Sequence, residues 1–82
     1  MKLDPVKHRI VRYLAQQFAA QRPDVSEGTL AVSLGIEPDE MRRHVDELEG
    51  VLVSVEKRLQ NQNRWLRLSR DGEDYAHKHG II

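Results

Sequence analysis

The chain has no cysteine among its 82 residues. This absence excludes disulfide bonds and thiolate metal sites, and it leaves the four histidines without a Cys-x-x-Cys partner. A chain of this length buries only about 60–65% of the surface that its unfolded form exposes. We therefore expect one small domain over residues 1–82, stabilised by packing alone.

Long apolar runs are also missing. The first ten residues, MKLDPVKHRI, lack the apolar stretch of a signal peptide. No segment approaches the roughly 18 apolar residues that a membrane-spanning helix needs. These two absences predict a cytoplasmic protein that does not engage a membrane.

An excess of charge of one sign is missing as well. The 13 basic and 13 acidic residues cancel, and a net charge of zero disfavours nucleic-acid binding. The charge is nevertheless segregated along the chain. Residues 1–22 hold five bases and one acid, 23–50 two and eight, 51–70 five and one, and 71–82 one and three. Electrostatic arguments must therefore follow individual elements rather than the average.

The first element is an amphipathic helix. Asp4 followed by Pro5 is an N-cap with proline at the first helical position. Apolar residues then recur at every fourth position: Val6, Ile10, Leu14 and Phe18. The pattern predicts a helix that ends near Arg22, because Pro23 biases its predecessor toward an extended backbone.

Two shorter helices follow. Val25 is predicted to be a short extended connector, Ser26 to cap the second helix, and Gly35 to end it in a left-handed conformation. Pro38 opens the third helix, and Gly50 ends it. The buried stripe of the third helix consists of Met41, Val45 and Leu48.

After Gly50 the apolar period changes from 3.6 to 2. The segment VLVSVEKRL is predicted to be a strand with Val51, Val53 and Val55 on one face. QNQN, residues 60–63, has turn composition, and RWLRLS returns as a second strand with Leu66 and Leu68 directed inward. Ser69 then caps a final helix, RDGEDYAHKH.

This order of elements resembles the winged-helix variant of the helix-turn-helix. TLAVSLGI resembles the end of the second helix and its turn, and MRRHVDELEGVLV resembles the third helix running into the first wing strand. LRLSRDGEDYA is similar to the stretch after the wing in bacterial winged-helix regulators, including those of the multiple-antibiotic-resistance type. The resemblance implies an α+β, mostly α fold: a three-helix core, a two-stranded wing hairpin and a C-terminal helix.

The resemblance also implies that the third helix enters the major groove of double-stranded DNA and that the wing reaches the backbone or minor groove. On the third helix, Arg42 and Arg43 can bond guanine edges or phosphates. Acids share this face and oppose the phosphate field: Asp39, Asp46 and Glu47. The alternative is a solvated face on which bases and acids pair at i,i+3 and i,i+4 spacing.

The hairpin is basic, with a neutral, amide-rich tip. Such a wing suits phosphate contact, although lysine and arginine on edge strands also prevent edge-to-edge pairing. By alternation, Trp65 shares a face with Arg67 and should be partly exposed. The predicted DNA-contacting residues are Arg42, Arg43, Lys57, Arg58, Asn61, Asn63, Arg64 and Arg67.

Catalysis and cofactor binding have little support. His77 and His79 diverge by about 200° on a helix and cannot share a metal. Phosphate-binding loops and nucleophile elbows are absent. We therefore expect no catalytic residue, no metal site and no cofactor.

The sequence leaves several functions open. The leading hypothesis is a DNA-binding transcriptional regulator, with dimerisation through the exposed side of helix one around Tyr13 or through the tail Ile81–Ile82. The first alternative is a protein-interaction module whose acidic third helix docks a basic partner. The second is an accessory subunit of a larger complex.

Overall fold

The structure is a computed structural model that describes residues 3–57 and 64–82. Its elements are α1 Pro5–Ala19, β1 Val25–Ser26, α2 Glu27–Leu34, α3 Pro38–Leu48, β2 Val53–Lys57, β3 Arg64–Leu68 and α4 Arg70–Lys78. The strands form an antiparallel sheet in the order β1-β3-β2. This mostly helical α+β arrangement is a winged helix, which confirms the predicted fold class. None of the described helices is long and apolar enough to cross a bilayer.

Four of the predicted capping residues are observed, whereas α3 ends at Leu48, before the predicted Gly50. The side chains of Asp4, Ser26 and Ser69 each accept the backbone N–H three residues on, at 2.9, 3.1 and 3.1 Å. Gly35 ends α2 with a φ of 66°. These contacts satisfy N–H groups that the first turn of a helix leaves unpaired.

The first helix ends earlier than the sequence predicted. It stops at Ala19 rather than near Arg22, and Gln21 takes a left-handed φ of 64°. The N–H of Arg22 donates to the carbonyl of Gln17 at 2.8 Å. This is a Schellman closure in which glutamine holds the position that glycine usually occupies. The prediction was wrong because it considered Pro23 as the only stop signal.

The core lies between the helices and the inner face of the sheet. The predicted inward stripes are largely confirmed, but Phe18 near the end of α1 is exposed. The fully buried large side chains are Ile10, Val11, Leu14, Leu30, Met41, Val45, Val53 and Leu66. The predicted start of the first wing strand was wrong. Val51 and Leu52 form a turn in which both N–H groups donate to the carbonyl of Leu48, at 3.0 and 3.1 Å. Val51 is therefore exposed, and the strand begins at Val53.

The connector at Val25 is a strand of the sheet. Val25 pairs with Leu66 and Ser26 with Trp65, so β3 lies between β1 and β2. The predicted two-stranded hairpin is thus part of a three-stranded sheet. The last described pair of residues between β2 and β3, toward the tip of the wing, is Lys57 with Arg64.

The start of α4 is held against the turn between α3 and β2 by a close backbone approach. The N–H of Ser69 donates to the carbonyl of Leu52 at 3.0 Å. Gly72, in the first turn of α4, approaches the same carbonyl so closely that a Cβ atom there would lie 2.1 Å from its oxygen. Glycine is therefore required here by space.

Candidate nucleic-acid interface

The exposed face of α3 presents two arginines. Arg42 and Arg43 are exposed, whereas Met41 and Val45, on the opposite side of the helix, are fully buried. Neither arginine side chain forms an ion pair with another residue in the ranges 3–57 and 64–82. Both guanidinium groups are accordingly available to an external anion.

Two of the acids beside these arginines bind cations from other elements. Asp46 accepts a hydrogen bond from the guanidinium of Arg64 on β3. Glu47 lies 2.9 Å from the ammonium of Lys7 on α1. The sequence suggested pairs along the helix itself, and the structure instead connects these two acids to the sheet and to the first helix. Both carboxylates therefore help to hold α3 in place.

Lys7 is the centre of a polar cluster between α1 and α3. Its ammonium donates to Asp4 at 2.8 Å and lies 3.1 Å from Nδ1 of the buried His44. Nε2 is 3.7 Å from a carboxylate oxygen of Glu40. The side-chain hydrogen bond to Lys7 lowers the pKa of Asp4 to about 2. Hydrogen bonds to Asp4 and Glu47 raise the pKa of Lys7.

Arg64 was predicted to contact DNA from the surface of the wing, but it is buried. It is only 4% exposed, with Nε and Nη2 bound to Glu27 and Nη1 bound to Asp46. Burial opposes its charge, but the hydrogen bonds to these two carboxylates outweigh burial and raise the pKa of Arg64. Arg64 is therefore removed from the candidate DNA contacts. Strand alternation could have predicted the inward direction of Arg64, because residue 64 shares the inward face with Leu66 and Leu68.

Of the other predicted wing residues, Arg67 lies on the outer face of the sheet. Arg67 is half-exposed, and its Nε is 3.0 Å from a carboxylate oxygen of Asp24. Trp65 lies partly buried on the same face, as alternation predicted. The backbone of Lys57 pairs with that of Arg64. Three predicted contacts lie outside the described residues: Arg58, Asn61 and Asn63.

The surfaces predicted for dimerisation are partly used within the chain. Tyr13 packs against the core, and its hydroxyl is 3.4 Å from the hydroxyl of Ser33. Ile81 and Ile82 are also half-buried against the core. The surface around Tyr13 and the tail Ile81–Ile82 are therefore both partly covered by the rest of the chain.

Within residues 3–57 and 64–82, no group of three or more His, Asp or Glu side chains is arranged to hold a metal ion. The Lys7 cluster brings one histidine and several carboxylates together, but an ammonium group occupies its centre. This cluster is built around an internal cation.

The fold is similar to solved structures of ZitR from Lactococcus lactis. A mutant of ZitR superposes with a TM-score of 0.77 at 20% identity, over 98% of this chain and 52% of that chain. A second structure, described as a zinc-responsive MarR family member, gives 0.76 at 18% identity over 98% and 53%. The present chain thus spans about half the length of these neighbours. No protein-family model and no curated protein sequence matches the chain. At these identities, the likeness shows the winged-helix fold alone.

Proposed function

We propose that this chain is a winged-helix DNA-binding protein that regulates transcription and is not an enzyme. In this proposal α3 enters the major groove, where Arg42 and Arg43 contact bases or phosphates, and the basic wing contacts the backbone. The observation that carries the proposal is the charge arrangement on α3. Both arginines are free of described ion pairs, whereas Asp46 and Glu47 are bound by cations of the fold.

The acids of α3 weigh less against DNA binding than their number suggests. Each unpaired acid in the groove opposes the phosphate field that supplies most non-specific affinity. A cation in direct contact cancels much of the field of a carboxylate beyond a few ångströms, well inside the screening length of about 10 Å at 0.1 M salt. Arg64 and Lys7 have this effect in part on Asp46 and Glu47, because each cation also pairs with a second carboxylate, Glu27 or Asp4. The charge of the two acids is thus reduced, whereas that of the two exposed arginines is not.

The wing contributes the remaining contacts of the proposal. Lys57, Arg58, Asn61 and Asn63 are proposed to meet the phosphate backbone or the minor groove, because residues 51–70 carry four bases besides the buried Arg64 and only one acid. Arg67 is also proposed, and DNA would have to compete with Asp24 for its guanidinium. The expected partner is double-stranded DNA, with dimerisation of the chain supplying a second half-site.

The test is titration of a fluorescent random duplex at about 50 and 200 mM salt, where phosphate contacts change affinity strongly. Arg42→Ala with Arg43→Ala should reduce the salt slope by roughly 1–2 units, because each phosphate contact adds about 0.9. Lys57→Ala with Arg58→Ala should have a similar effect.

The matched control removes the same charge from another surface. Arg12→Ala with Lys78→Ala acts on α1 and α4, where Arg12 lines a groove with His79. This control should leave the slope near the wild-type value. No detectable wild-type binding at the lower salt concentration would refute the proposal. Unchanged affinity after the change on α3 would refute the groove-reading role alone.

A second candidate is a protein-interaction module that docks a basic, partly apolar segment. The observation that favours it is Val32 on α2, which is 84% exposed. It lines a groove with Ile36, and the acidic Glu37 lies at the same site. If this candidate is correct, wild-type protein will not bind DNA at low salt. Binding of DNA that depends on Arg42 and Arg43 would exclude it as the main function of the chain.

A further inference from the structure

The guanidinium of Arg64 joins three elements at the base of the wing. From β3 it reaches Glu27 at the start of α2, with Nε 3.0 Å from the carboxylate. It also bonds two points on α3: the carboxylate of Asp46 and, at 3.3 Å, the backbone carbonyl of Arg42. One side chain therefore connects the wing to the helix that carries the exposed arginines.

The two carboxylates of this cluster differ in exposure. The side chain of Glu27 is 14% exposed and that of Asp46 is 56% exposed. Glu27 is an interior counter-ion, whereas Asp46 lies on the surface of α3. With Arg64 present, the three side chains carry one net negative charge. Without Arg64 they would carry two, and one of those charges would face the solvent beside Arg42 and Arg43.

We propose that Arg64 is a positioning residue for DNA binding that acts through Asp46 and does not itself touch DNA. It holds the Asp46 carboxylate back from the groove and offsets its charge, and it fixes the rotation of α3 relative to the wing. This inference rests on the proposed DNA-binding function.

The bonding pattern explains why the residue is arginine. The carbonyl of Arg42 and the carboxylate of Asp46 lie one helical turn apart, so bonds to both restrain α3 against rotation about its axis. The planar guanidinium has five N–H donors in a fixed fork, which can serve Glu27 and α3 at once. A lysine ammonium is a compact point charge and cannot span these acceptors. Arg64→Lys should therefore reproduce part of the loss seen with a neutral residue.

The experiment is a double-mutant cycle on binding of a random duplex at about 50 mM salt. Arg64→Gln should weaken binding on the order of tenfold, because the charge of the Asp46 carboxylate, no longer offset by Arg64, then opposes a nearby phosphate. Asp46→Asn alone should change affinity by less than about threefold, since Arg64 already offsets that charge. Adding Asp46→Asn to Arg64→Gln should restore most of the lost affinity.

Additivity distinguishes this role from direct contact. If Arg64 itself bound phosphate, Asp46→Asn would have the same effect with or without Arg64, and an additive cycle would overturn the inference. Unchanged affinity of Arg64→Gln would overturn it as well. Both outcomes leave the proposed function standing as long as wild-type protein binds DNA. A wild-type protein that does not bind DNA overturns both.

Folding must be separated from recognition, because Arg64→Gln leaves the carboxylate of Glu27 buried without its partner. Each variant is checked for a cooperative thermal transition. The cycle is then repeated in a Glu27→Gln background, in which no unpaired interior carboxylate remains. Restoration of binding by Asp46→Asn is expected in both backgrounds. If Asp46→Asn does not restore binding in the Glu27→Gln background, although all four variants of that cycle are folded, the inference is contradicted.

Discussion

Replacement of Gly72 by alanine should destabilise the fold although alanine is the better helix former. Gly72 lies in the first turn of α4, where helix propensity alone predicts a gain of about 1 kcal/mol. A Cβ atom at this position would lie 2.1 Å from the carbonyl oxygen of Leu52 and 3.1 Å from Cδ2 of Leu68. The nearer neighbour is backbone and cannot rotate away. The steric contact should therefore dominate.

The size of the effect follows from the required movement. Ordinary contacts of a Cβ atom begin near 3.4 Å, so α4 must withdraw from Leu52 by roughly 1 Å. That movement disturbs the hydrogen bond from Ser69 to Leu52 and the packing of the buried Ala76. Overpacking costs typically 1–3 kcal/mol, and a lost hydrogen bond costs about 1 kcal/mol. After the propensity gain, we expect a net loss of about 1–3 kcal/mol, or roughly 5–20 °C in Tm for a domain of this size.

The assay is thermal and urea unfolding followed by circular dichroism. Gln16→Ala is the control, because Gln16 is exposed on α1 and the change alters little besides local propensity. The control should stay within about 0.5 kcal/mol of wild type. For Gly72→Ala the urea midpoint should fall with an unchanged slope. A Tm at or above the wild-type value would refute the close approach of α4 to Leu52.

Two further predictions concern α1. Gln21→Gly should stabilise the protein by about 0.5–1 kcal/mol, because φ is 64° and glycine reaches this region without a Cβ clash; a lower urea midpoint would contradict this. Asp4 has a folded pKa of about 2 because of its hydrogen bonds with Lys7. Since this lies below the ordinary value of about 3.9, ionised Asp4 stabilises the fold above pH 4, and the contribution is lost as the pH falls through 2. Asp4→Asn keeps an N-cap, so its Tm should be lower than that of wild type at pH 6 and approach the wild-type Tm near pH 2. A difference in Tm that does not change with pH would contradict the pairing of Asp4 with Lys7.

The features predicted correctly from the sequence depend on residues close together in the chain. Ser26 and Ser69 cap helices by bonding N–H groups three residues on. Gly35 ends α2 because its own backbone takes a positive φ. The spacing of apolar residues likewise depends only on the type of the element and on one of its sides being buried. The number, type and order of the helices and wing strands were therefore accessible from local patterns.

The features that were missed depend on distant partners. Val25 was predicted to be a connector because a two-residue strand is too short to show an alternating pattern. Its pairing with Leu66 depends on a strand that lies about 40 positions further along the chain. Arg64 is separated from Glu27 by 37 positions and from Asp46 by 18. Alternation placed residue 64 inward, but the general tendency of arginine to lie at the surface favoured the tip of the wing. Alternation indicates only the inward direction of residue 64, and the burial of its charge is explained by the carboxylates of Glu27 and Asp46.

The acidic composition of α3 is weaker evidence against DNA binding once the fold is known. Asp39 lies in the first turn, where the positive end of the helix dipole favours a carboxylate. Asp46 and Glu47 hold α3 against β3 and α1. Glu49, at the end of the helix, has no ion pair with a residue in 3–57 or 64–82. The charge that α3 offers to a groove must therefore be counted after the internal partners, and in its middle turns that count leaves two arginines beside two carboxylates that share their cations with Glu27 and Asp4.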